Sequence, residues 1–178
     1  MKLTGNRIYI RNITLKDVDD YYEYAKSDNV GPNAGWKPVP SRRVAEKVVA
    51  GFIARRDTFA IEERSYKKMI GTISIYPDSL RKNKLAVSVG FSINEDFQNM
   101  GYATEALKLI IHYIFNYMNM DIIEIGHHVD NIKSKRVIEK CGFHYDGRLC
   151  KYKMLYDGRY VDADFYSLMK EDYDGGKK

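Results

Sequence analysis

Residues 94–104 read NEDFQNMGYAT and connect two stretches with different hydrophobic periods. Upstream, apolar side chains occupy every second position from Val87 to Ile93, which predicts a β-strand. Downstream, apolar side chains recur at helical spacing from Ala103 to Phe115, which predicts an amphipathic helix. The chain therefore passes from a strand through a glycine-containing turn into a helix N-terminus.

This turn has the chemical character of an anion site. The first backbone N–H groups of a helix lack intrahelical acceptors, and the helix dipole adds partial positive charge there. Gly101 and the small Ala103 allow the backbone to approach a phosphate closely. A Walker loop is excluded because its glycine-lysine-serine/threonine sequence is missing, and a dinucleotide fingerprint is excluded because only one of its three glycines occurs. An ordinary turn into a helix stays open as the alternative.

The remaining periodicity predicts an alternation of strands and helices on both sides of this turn. A mixed sheet flanked by helices, and hence an α+β fold, is the expected result. Before the turn, the predicted elements are a strand at 8–13, a helix starting at Thr14 with Asp17 in a capping box, a loop at 30–40, a helix capped by Ser41, and antiparallel strands within 58–93. After the helix that follows Gly101, they are a strand at 122–129, a helix opened by Asn131 and ended by Gly142, and strands near 148–156 and 161–169 joined by Asp157-Gly158.

Composition and charge narrow the class of protein. The chain has 178 residues, 44% hydrophobic and 30% charged, which fits one domain that we place at 1–172, with 173–178 as a flexible tail. The net charge of +5 is spread along the chain among 24 acidic residues, so we expect no nucleic-acid partner. No apolar run approaches the length of a membrane span and no signal peptide is evident. Cys141 and Cys150 read as reduced thiols, which favours a cytoplasmic location.

Three motifs in order carry a resemblance to a known family. Gln98, Gly101 and Ala103 match the R/Q-x-x-G-x-G/A pyrophosphate loop of the GNAT acetyltransferases. The stretch from Asn131 to Phe143 resembles the NxxS and EKxGF segment of the ribosomal-protein-alanine acetyltransferase (RimJ/RimL-like) branch. The stretch from Tyr156 to Leu168 resembles the DGxxxD and YSL ending of that branch.

The resemblance implies a GNAT fold, with a mainly antiparallel central sheet in which two parallel strands splay apart. It implies acetyl-CoA as the donor substrate, with the pantetheine arm filling the gap as an added strand. Gly90 or its neighbours are the expected site of a bulge in the splayed strand. Backbone N–H groups near Phe91 to Ile93 would polarise the thioester carbonyl and stabilise the oxyanion. The implied cofactor-binding residues are Phe91, Ser92, Ile93, Gln98, Asn99, Met100, Gly101, Tyr102, Ala103, Thr104, Asn131 and Ser134.

The catalytic groups are less clearly indicated. Only a neutral amine attacks the thioester, so a group must accept a proton, and Glu95 is our catalytic candidate, with Asp78, His127 and His128 as alternatives. Many family members place a tyrosine seven residues after the asparagine to protonate the leaving thiolate, but this chain has Ile138 there. Ser134 is therefore the predicted thiol-facing hydroxyl. Adjacent histidines on a strand point to opposite faces, so no metal site is expected.

The acceptor stays open between a protein N-terminus, a polyamine and a small amine. Trp36 lies in the loop that borders the acceptor side in this family, and Tyr21, Tyr22, Tyr24 and Tyr76 are either pocket residues or part of a tyrosine-rich core. A homodimer is left open. The alternative function is a non-catalytic GNAT-fold module that binds acyl-CoA as a sensor.

Overall fold

The computed structural model describes residues 1–78 and 80–173. Strands and helices alternate along the chain much as predicted, and short 3-10 turns lie between them. The strands are β1 (Lys2–Thr4), β2 (Ile8–Asn12), β3 (Thr58–Glu63), β4 (Lys68–Pro77), β5 (Ala86–Ile93), β6 (Ile122–His128), β7 (His144–Met154) and β8 (Tyr160–Met169). The helices are α1 (Val18–Ala25), α2 (Arg42–Arg55), α3 (Tyr102–Asn116) and α4 (Ile132–Lys140).

The strands form one mixed sheet in the order β1-β2-β3-β4-β5-β6-β8-β7. The β5–β6 pair is parallel, whereas β1–β2, β2–β3, β3–β4, β6–β8 and β7–β8 are antiparallel. Together with four helices, this sheet confirms the predicted α+β fold with a mainly antiparallel sheet and a parallel pair. In the described part of the chain, no helix is both long and apolar enough to cross a bilayer.

The chain is divided into two compact units. The first contains Met1–Ser74 and Phe91–Ala106, and the second contains Ile75–Gly90 and the residues from Leu107 onward. In the first unit, α1 and α2 pack on a buried cluster that includes Tyr21, Tyr24, Val49 and Met69. In the second unit, the inner stripe of α3 is fully buried, from Leu107 through Ile110, Ile111 and Ile114.

Local sequence signals account for several element ends. The Thr14 backbone N–H donates to the Asp17 carboxylate at 2.8 Å, which is the reciprocal arm of a capping box. The Ser41 hydroxyl accepts from the Val44 N–H at 3.4 Å and caps α2. Gly142, with φ of 85°, follows α4 in the left-handed conformation that was expected there.

The β7–β8 hairpin turns at Asp157-Gly158, as predicted. Gly158 has φ of 84°, and the Leu155 N–H donates to the Arg159 carbonyl at 2.8 Å. β7 starts at His144, four residues before the predicted start near Arg148. His144, Tyr145 and Asp146 are exposed and Gly147 is half-buried, so no alternation of buried and exposed side chains marks these residues.

The predicted tail lies almost wholly outside the described residues. Its first member, Tyr173, is described, and its ring centroid lies 5.1 Å from that of Phe115. The Tyr173 hydroxyl lies 3.2 Å from Nδ1 of His112. Residues 174–178 lie outside the described residues.

Candidate functional site

Asn94 anchors the start of the glycine turn, directly after β5. Its backbone N–H donates to the Ile70 carbonyl at 2.7 Å, and its side-chain amide donates to Glu23 at 3.0 Å. Its side-chain oxygen accepts from the Asp96 N–H at 3.2 Å. Asn94 is only 2% exposed, so these bonds fix the point at which the chain leaves the sheet.

The turn itself needs two left-handed residues. Asn99 has φ of 61° and Gly101 has φ of 84°. Asparagine and glycine are the residue types that adopt this conformation most readily. The Gln98 side-chain amide donates to the Ile93 carbonyl at 3.0 Å and so braces the turn against the end of β5.

α3 begins immediately after this turn. The Glu105 N–H donates to the Gly101 carbonyl, four residues earlier, at 3.0 Å, which is the hydrogen-bond pattern of an α-helix. As at any helix start, the backbone N–H groups of the first turn point toward the preceding turn of the chain. Gly101 and Met100 are exposed whereas Tyr102 is buried, so the turn presents its backbone to solvent while the helix is anchored behind it.

Residues 91–93, the predicted oxyanion-stabilising segment, end β5 in the first unit. Ser92 and Ile93 are buried, and Phe91 is half-buried. The Ser92 hydroxyl is 2.9 Å from the Thr72 hydroxyl, which in turn accepts from the Tyr24 hydroxyl at 3.4 Å. The Ser92 side chain is therefore part of the core, which leaves backbone groups as the means by which this segment can act on a ligand.

The parallel pairing of β5 with β6 is short. Its register runs from Ala86–Ile122 to Ser88–Glu124 and does not extend to Val89 or Gly90. This short pairing is what splaying of two parallel strands produces. The expected bulge at Gly90 stays a prediction; a Cβ built there would meet the Tyr76 ring at an ordinary contact distance of 3.6 Å.

Glu95 is joined to the segment that follows α1. Its carboxylate accepts from the Ser27 hydroxyl at 2.7 Å and from the Asn29 side-chain amide at 2.8 Å. Glu95 itself is exposed. The role of Glu95 as a proton acceptor stays a prediction, and what the structure shows is that these bonds tether the residue 27–29 segment to the glycine turn.

Asn131 and Ser134 lie in the second unit, at the start of α4. The Asn131 side chain accepts from the Ser134 backbone N–H at 3.1 Å and caps the helix, as expected. Because Ser134 contributes its backbone to the cap, the cap does not depend on its hydroxyl. Both residues are half-buried.

A buried carboxylate cluster in the second unit contains Asp78, one of the alternative bases. Arg81 bridges three acids, at 3.1 Å to Asp78, 3.2 Å to Glu124 and 2.6 Å to Asp146. Glu124 also accepts from the Ser88 hydroxyl at 2.8 Å, and it is 3% exposed. Sequence reasoning missed Glu124 because an acid flanked by isoleucines gives no sign of what its side chain contacts.

Burial, together with the neighbouring Asp78 carboxylate, raises the pKa of Glu124. Burial alone also acts to raise the pKa of Asp78, but hydrogen bonds from Arg81 and from the Leu80 backbone lower it overall. Of these two carboxyl groups, Glu124 is therefore the weaker acid.

The two adjacent histidines of β6 have different surroundings. The His127 ring is buried, stacks on Tyr166 at 5.6 Å, and places Nδ1 2.7 Å from the His128 carbonyl. Burial, followed by the charge of Lys153, lowers the pKa of His128. Within residues 1–78 and 80–173, no three His, Cys, Asp or Glu side chains are grouped so that they could hold a metal ion.

The aromatic residues near the proposed acceptor side divide into two groups. Tyr21 and Tyr24 are core residues, 4% and 1% exposed, with ring centroids 5.4 Å apart, and burial raises the pKa of Tyr21 to about 12. Trp36 is half-buried, and its indole nitrogen is buried without a hydrogen-bond partner among the described residues. Burying an N–H donor without an acceptor costs folding free energy, and this cost distinguishes Trp36 from the core residues Tyr21 and Tyr24.

The model of the Acetyltransferase (GNAT) domain family matches residues 7–144, and the chain belongs to that family. It is an acetyltransferase, as its named relatives indicate.

This chain is similar to two named acetyltransferases and to one crystal structure of the family. The N-acetyltransferase YnaD of Bacillus subtilis is 28% identical, with 97% of this chain and 99% of the relative covered. The ribosomal protein uS5-alanine N-acetyltransferase of Escherichia coli is 24% identical over 99% of this chain and 95% of its own length. The crystal structure of a GNAT-family acetyltransferase from Bacillus anthracis superposes with a TM-score of 0.86 at 22% identity, covering 96% of this chain and 99% of the other.

Proposed function

We propose that the protein is an acetyl-CoA-dependent N-acetyltransferase of the RimJ/RimL-like branch, which moves the acetyl group directly to a primary amine. The observation that carries this proposal is the left-handed pair Asn99 and Gly101 directly before α3, within a sequence that matches the family's pyrophosphate loop. The branch is supported by the NxxS, EKxGF and DGxxxD motifs and by similarity to the uS5-alanine acetyltransferase.

On the donor side, the turn supplies backbone N–H groups for the pyrophosphate. These groups come from a helix N-terminus whose dipole favours an anion. The backbone of residues 91–93 is assigned to polarise the thioester carbonyl, a role worth about 3 kcal/mol per well-placed donor in acyl transfer. The short β5–β6 pairing supports a strand-like seat for the pantetheine arm.

In the transfer step, the neutral amine attacks the thioester carbonyl to form a tetrahedral intermediate. The C–S bond then breaks, giving the N-acetyl product and the CoA thiolate. We assign the amine proton to Glu95, with Asp78, His127 and His128 as alternatives, and a hydrogen bond to the departing sulfur to the Ser134 hydroxyl. Ser134 is assigned from the family motif and from the independence of the α4 cap from its hydroxyl.

For the acceptor, we retain a primary amine of a protein N-terminus, a polyamine or a small molecule. Similarity to the uS5-alanine enzyme gives a reason to test N-terminal alanine peptides first. We also propose a cytoplasmic location, which the reduced thiols Cys141 and Cys150 support. A homodimer stays a prediction for solution mass measurement.

A screen of amines tests the function directly. The protein is incubated with acetyl-CoA and an N-terminal alanine peptide, spermidine or free amino acids, and thiol release and acetylated product are both measured. We expect stoichiometric CoA and N-acetyl product with one of these classes. Tight acetyl-CoA binding without CoA release for every class would instead support the acyl-CoA sensor, and lack of CoA binding would overturn both.

A further inference from the structure

Arg7 lies in the connection between β1 and β2, far from the glycine turn in sequence. The connection is itself held by Arg64, whose guanidinium donates to the carbonyls of Gly5 at 2.9 Å and Asn6 at 3.0 Å. The Arg64 N–H also donates to the Arg7 carbonyl at 2.9 Å. Arg7 therefore projects from a well-fixed backbone.

The Arg7 side chain contacts both the first turn of α3 and Met100, which lies two residues before the helix begins. Its Nη1 donates to the Met100 carbonyl at 2.8 Å, and its Nε donates to Glu105 at 3.0 Å. The Arg7 backbone N–H donates to the other Glu105 oxygen at 2.8 Å. The guanidinium carbon lies 4.4 Å from the centroid of the Tyr102 ring.

The bond to Met100 has a directional consequence. A trans peptide is planar, so the Met100 carbonyl and the Gly101 N–H, which belong to one peptide unit, point in opposite directions. Because Arg7 holds the carbonyl, the Gly101 N–H is aimed away from the guanidinium. Nη2 of Arg7 would lie 3.3 Å from a Cβ on Gly101, so the arginine packs directly against the turn.

The bond to Glu105 has an electrostatic consequence. Glu105 is the acidic residue in the first turn of α3, where its negative charge opposes the binding of a phosphate. The Glu105 side chain is 17% exposed, so its charge is screened less than that of an open surface residue. The salt bridge to Arg7 neutralises it.

We propose that Arg7 is a positioning residue for the CoA pyrophosphate turn, which aims the Gly101 amide and cancels the charge of Glu105 without binding the ligand. This inference rests on the proposed function. Under this proposal, the affinity of the turn for phosphate depends partly on Arg7, which lies outside the pyrophosphate-loop motif.

The experiment is calorimetric binding of CoA and of pantetheine, which lacks the phosphates, to the full chain and four variants. Arg7→Met is expected to weaken CoA binding about tenfold, the size of one lost charge-assisted hydrogen bond, and to leave pantetheine binding unchanged. Arg42→Met, the matched control, removes an arginine whose salt bridge to Asp19 is exposed, and it is expected to keep CoA affinity within about twofold. Arg7→Lys keeps the charge but not the planar fork, and should fall between wild type and Arg7→Met.

The double variant Arg7→Met with Glu105→Gln separates charge from geometry. Removing both charges should recover part of the lost CoA affinity, since the uncompensated Glu105 is gone while the Met100 carbonyl is still unheld. Equal loss of CoA and pantetheine binding in Arg7→Met and Arg7→Lys would mean a general structural role and overturn the inference. Wild-type affinity in Arg7→Met would also overturn it, whereas lack of CoA binding by the wild-type chain would overturn the proposed function itself.

Discussion

Gly71 of β4 and Ser92 of β5 approach so closely that a Cβ built on Gly71 would lie well under 3.0 Å from the Ser92 carbonyl oxygen. The neighbour is backbone, so neither residue can yield by turning a side chain. Only glycine fits at this position. The close approach fixes the segment from which the glycine turn departs, because Asn94, two residues beyond Ser92, donates to the carbonyl of Ile70.

Gly71→Ala is therefore expected to destabilise the protein by about 2 kcal/mol, the usual cost of overpacking a filled interior. The measurement is urea unfolding followed by circular dichroism. Gly51→Ala in α2 is the matched control, since its Cβ would meet only the flexible end of Arg55 at 3.2 Å, and it should be neutral or stabilising by up to about 1 kcal/mol. Equal stability of the two variants would contradict the close approach.

Gly101→Glu is expected to weaken CoA binding by about 100-fold or more, because it places negative charge and bulk where the pyrophosphate is proposed to bind. Strain alone is a competing explanation, since Gly101 has φ of 84°. Gly158→Glu carries the same substitution at the same φ of 84° in the β7–β8 hairpin and should leave CoA affinity unchanged. Unchanged affinity for Gly101→Glu in calorimetry would remove the turn from the donor site.

Ser134→Ala is expected to lower kcat about tenfold while KM for acetyl-CoA and thermal stability stay close to wild type. The Ser134 hydroxyl would donate one hydrogen bond to the departing thiolate, and a hydrogen bond to a charged group is worth about 1.5 kcal/mol, or about tenfold in rate. Stability should hold because the α4 cap uses the Asn131 side chain and the Ser134 backbone. Normal turnover would exclude Ser134 from the reaction, and Asn131→Ala, which should lower stability instead, serves as the contrasting variant.

Glu95→Gln is expected to reduce kcat/KM about 100-fold, because the amide cannot accept the amine proton that we assign to Glu95. The tether to the residue 27–29 segment offers a second explanation for any loss. Ser27→Ala and Asn29→Ala each remove one tether bond and keep the carboxylate, so they test that explanation. Loss of activity in these two variants with near-normal kcat/KM in Glu95→Gln would show that Glu95 holds the segment and performs no proton transfer.

Asp17→Asn is expected to lower the free energy of unfolding by about 3 kcal/mol at pH 7, as removal of one partner from a buried ion pair usually does. Two Arg11 nitrogens contact the Asp17 carboxylate at 2.6 Å and 2.9 Å. Burial alone acts to raise the pKa of Asp17, but hydrogen bonds from Arg11 and Thr14 lower it overall.

Since the folded-state pKa lies below the unfolded value near 3.9, this stabilisation is present above about pH 4 and is lost as the pH falls through the folded-state pKa. Urea unfolding of wild type and Asp17→Asn from pH 7 to pH 3 should therefore converge in acid. Asp19→Asn is the matched control: its pair with Arg42 is 72% exposed on the Asp19 side and should matter little at any pH. A constant difference across this pH range would contradict the assignment.

Local signals carried most of the fold prediction. Alternation identified the strands from 58 to 93, helical spacing identified α3, and the caps at Ser41 and Asn131 marked the starts of α2 and α4. β1 was missed because three residues, Lys2–Thr4, carry no readable period. β7 was placed late because almost every residue in it is exposed.

The site was predictable only where its residues are neighbours in sequence. The turn at 98–103 forms a contiguous motif, so the sequence indicated its place between β5 and α3, whereas its role in binding stays a prediction. Arg7 and Glu105 are 98 positions apart, and Arg81 and Glu124 are 43 apart. Only the folded sheet brings these charges together, so no local pattern could indicate their pairing.

β7 is the last strand in the sheet order, and its pairing with β8 is irregular. Its register against β8 shifts between Leu149 and Lys153, and Lys151 takes a positive φ of 50°. Irregular pairing and lysines on an outer strand are features that natural proteins use to discourage further strands from adding and so to avoid aggregation. The exposed Tyr152 and Met154 are thus carried on an edge that is poorly shaped to template a fibril.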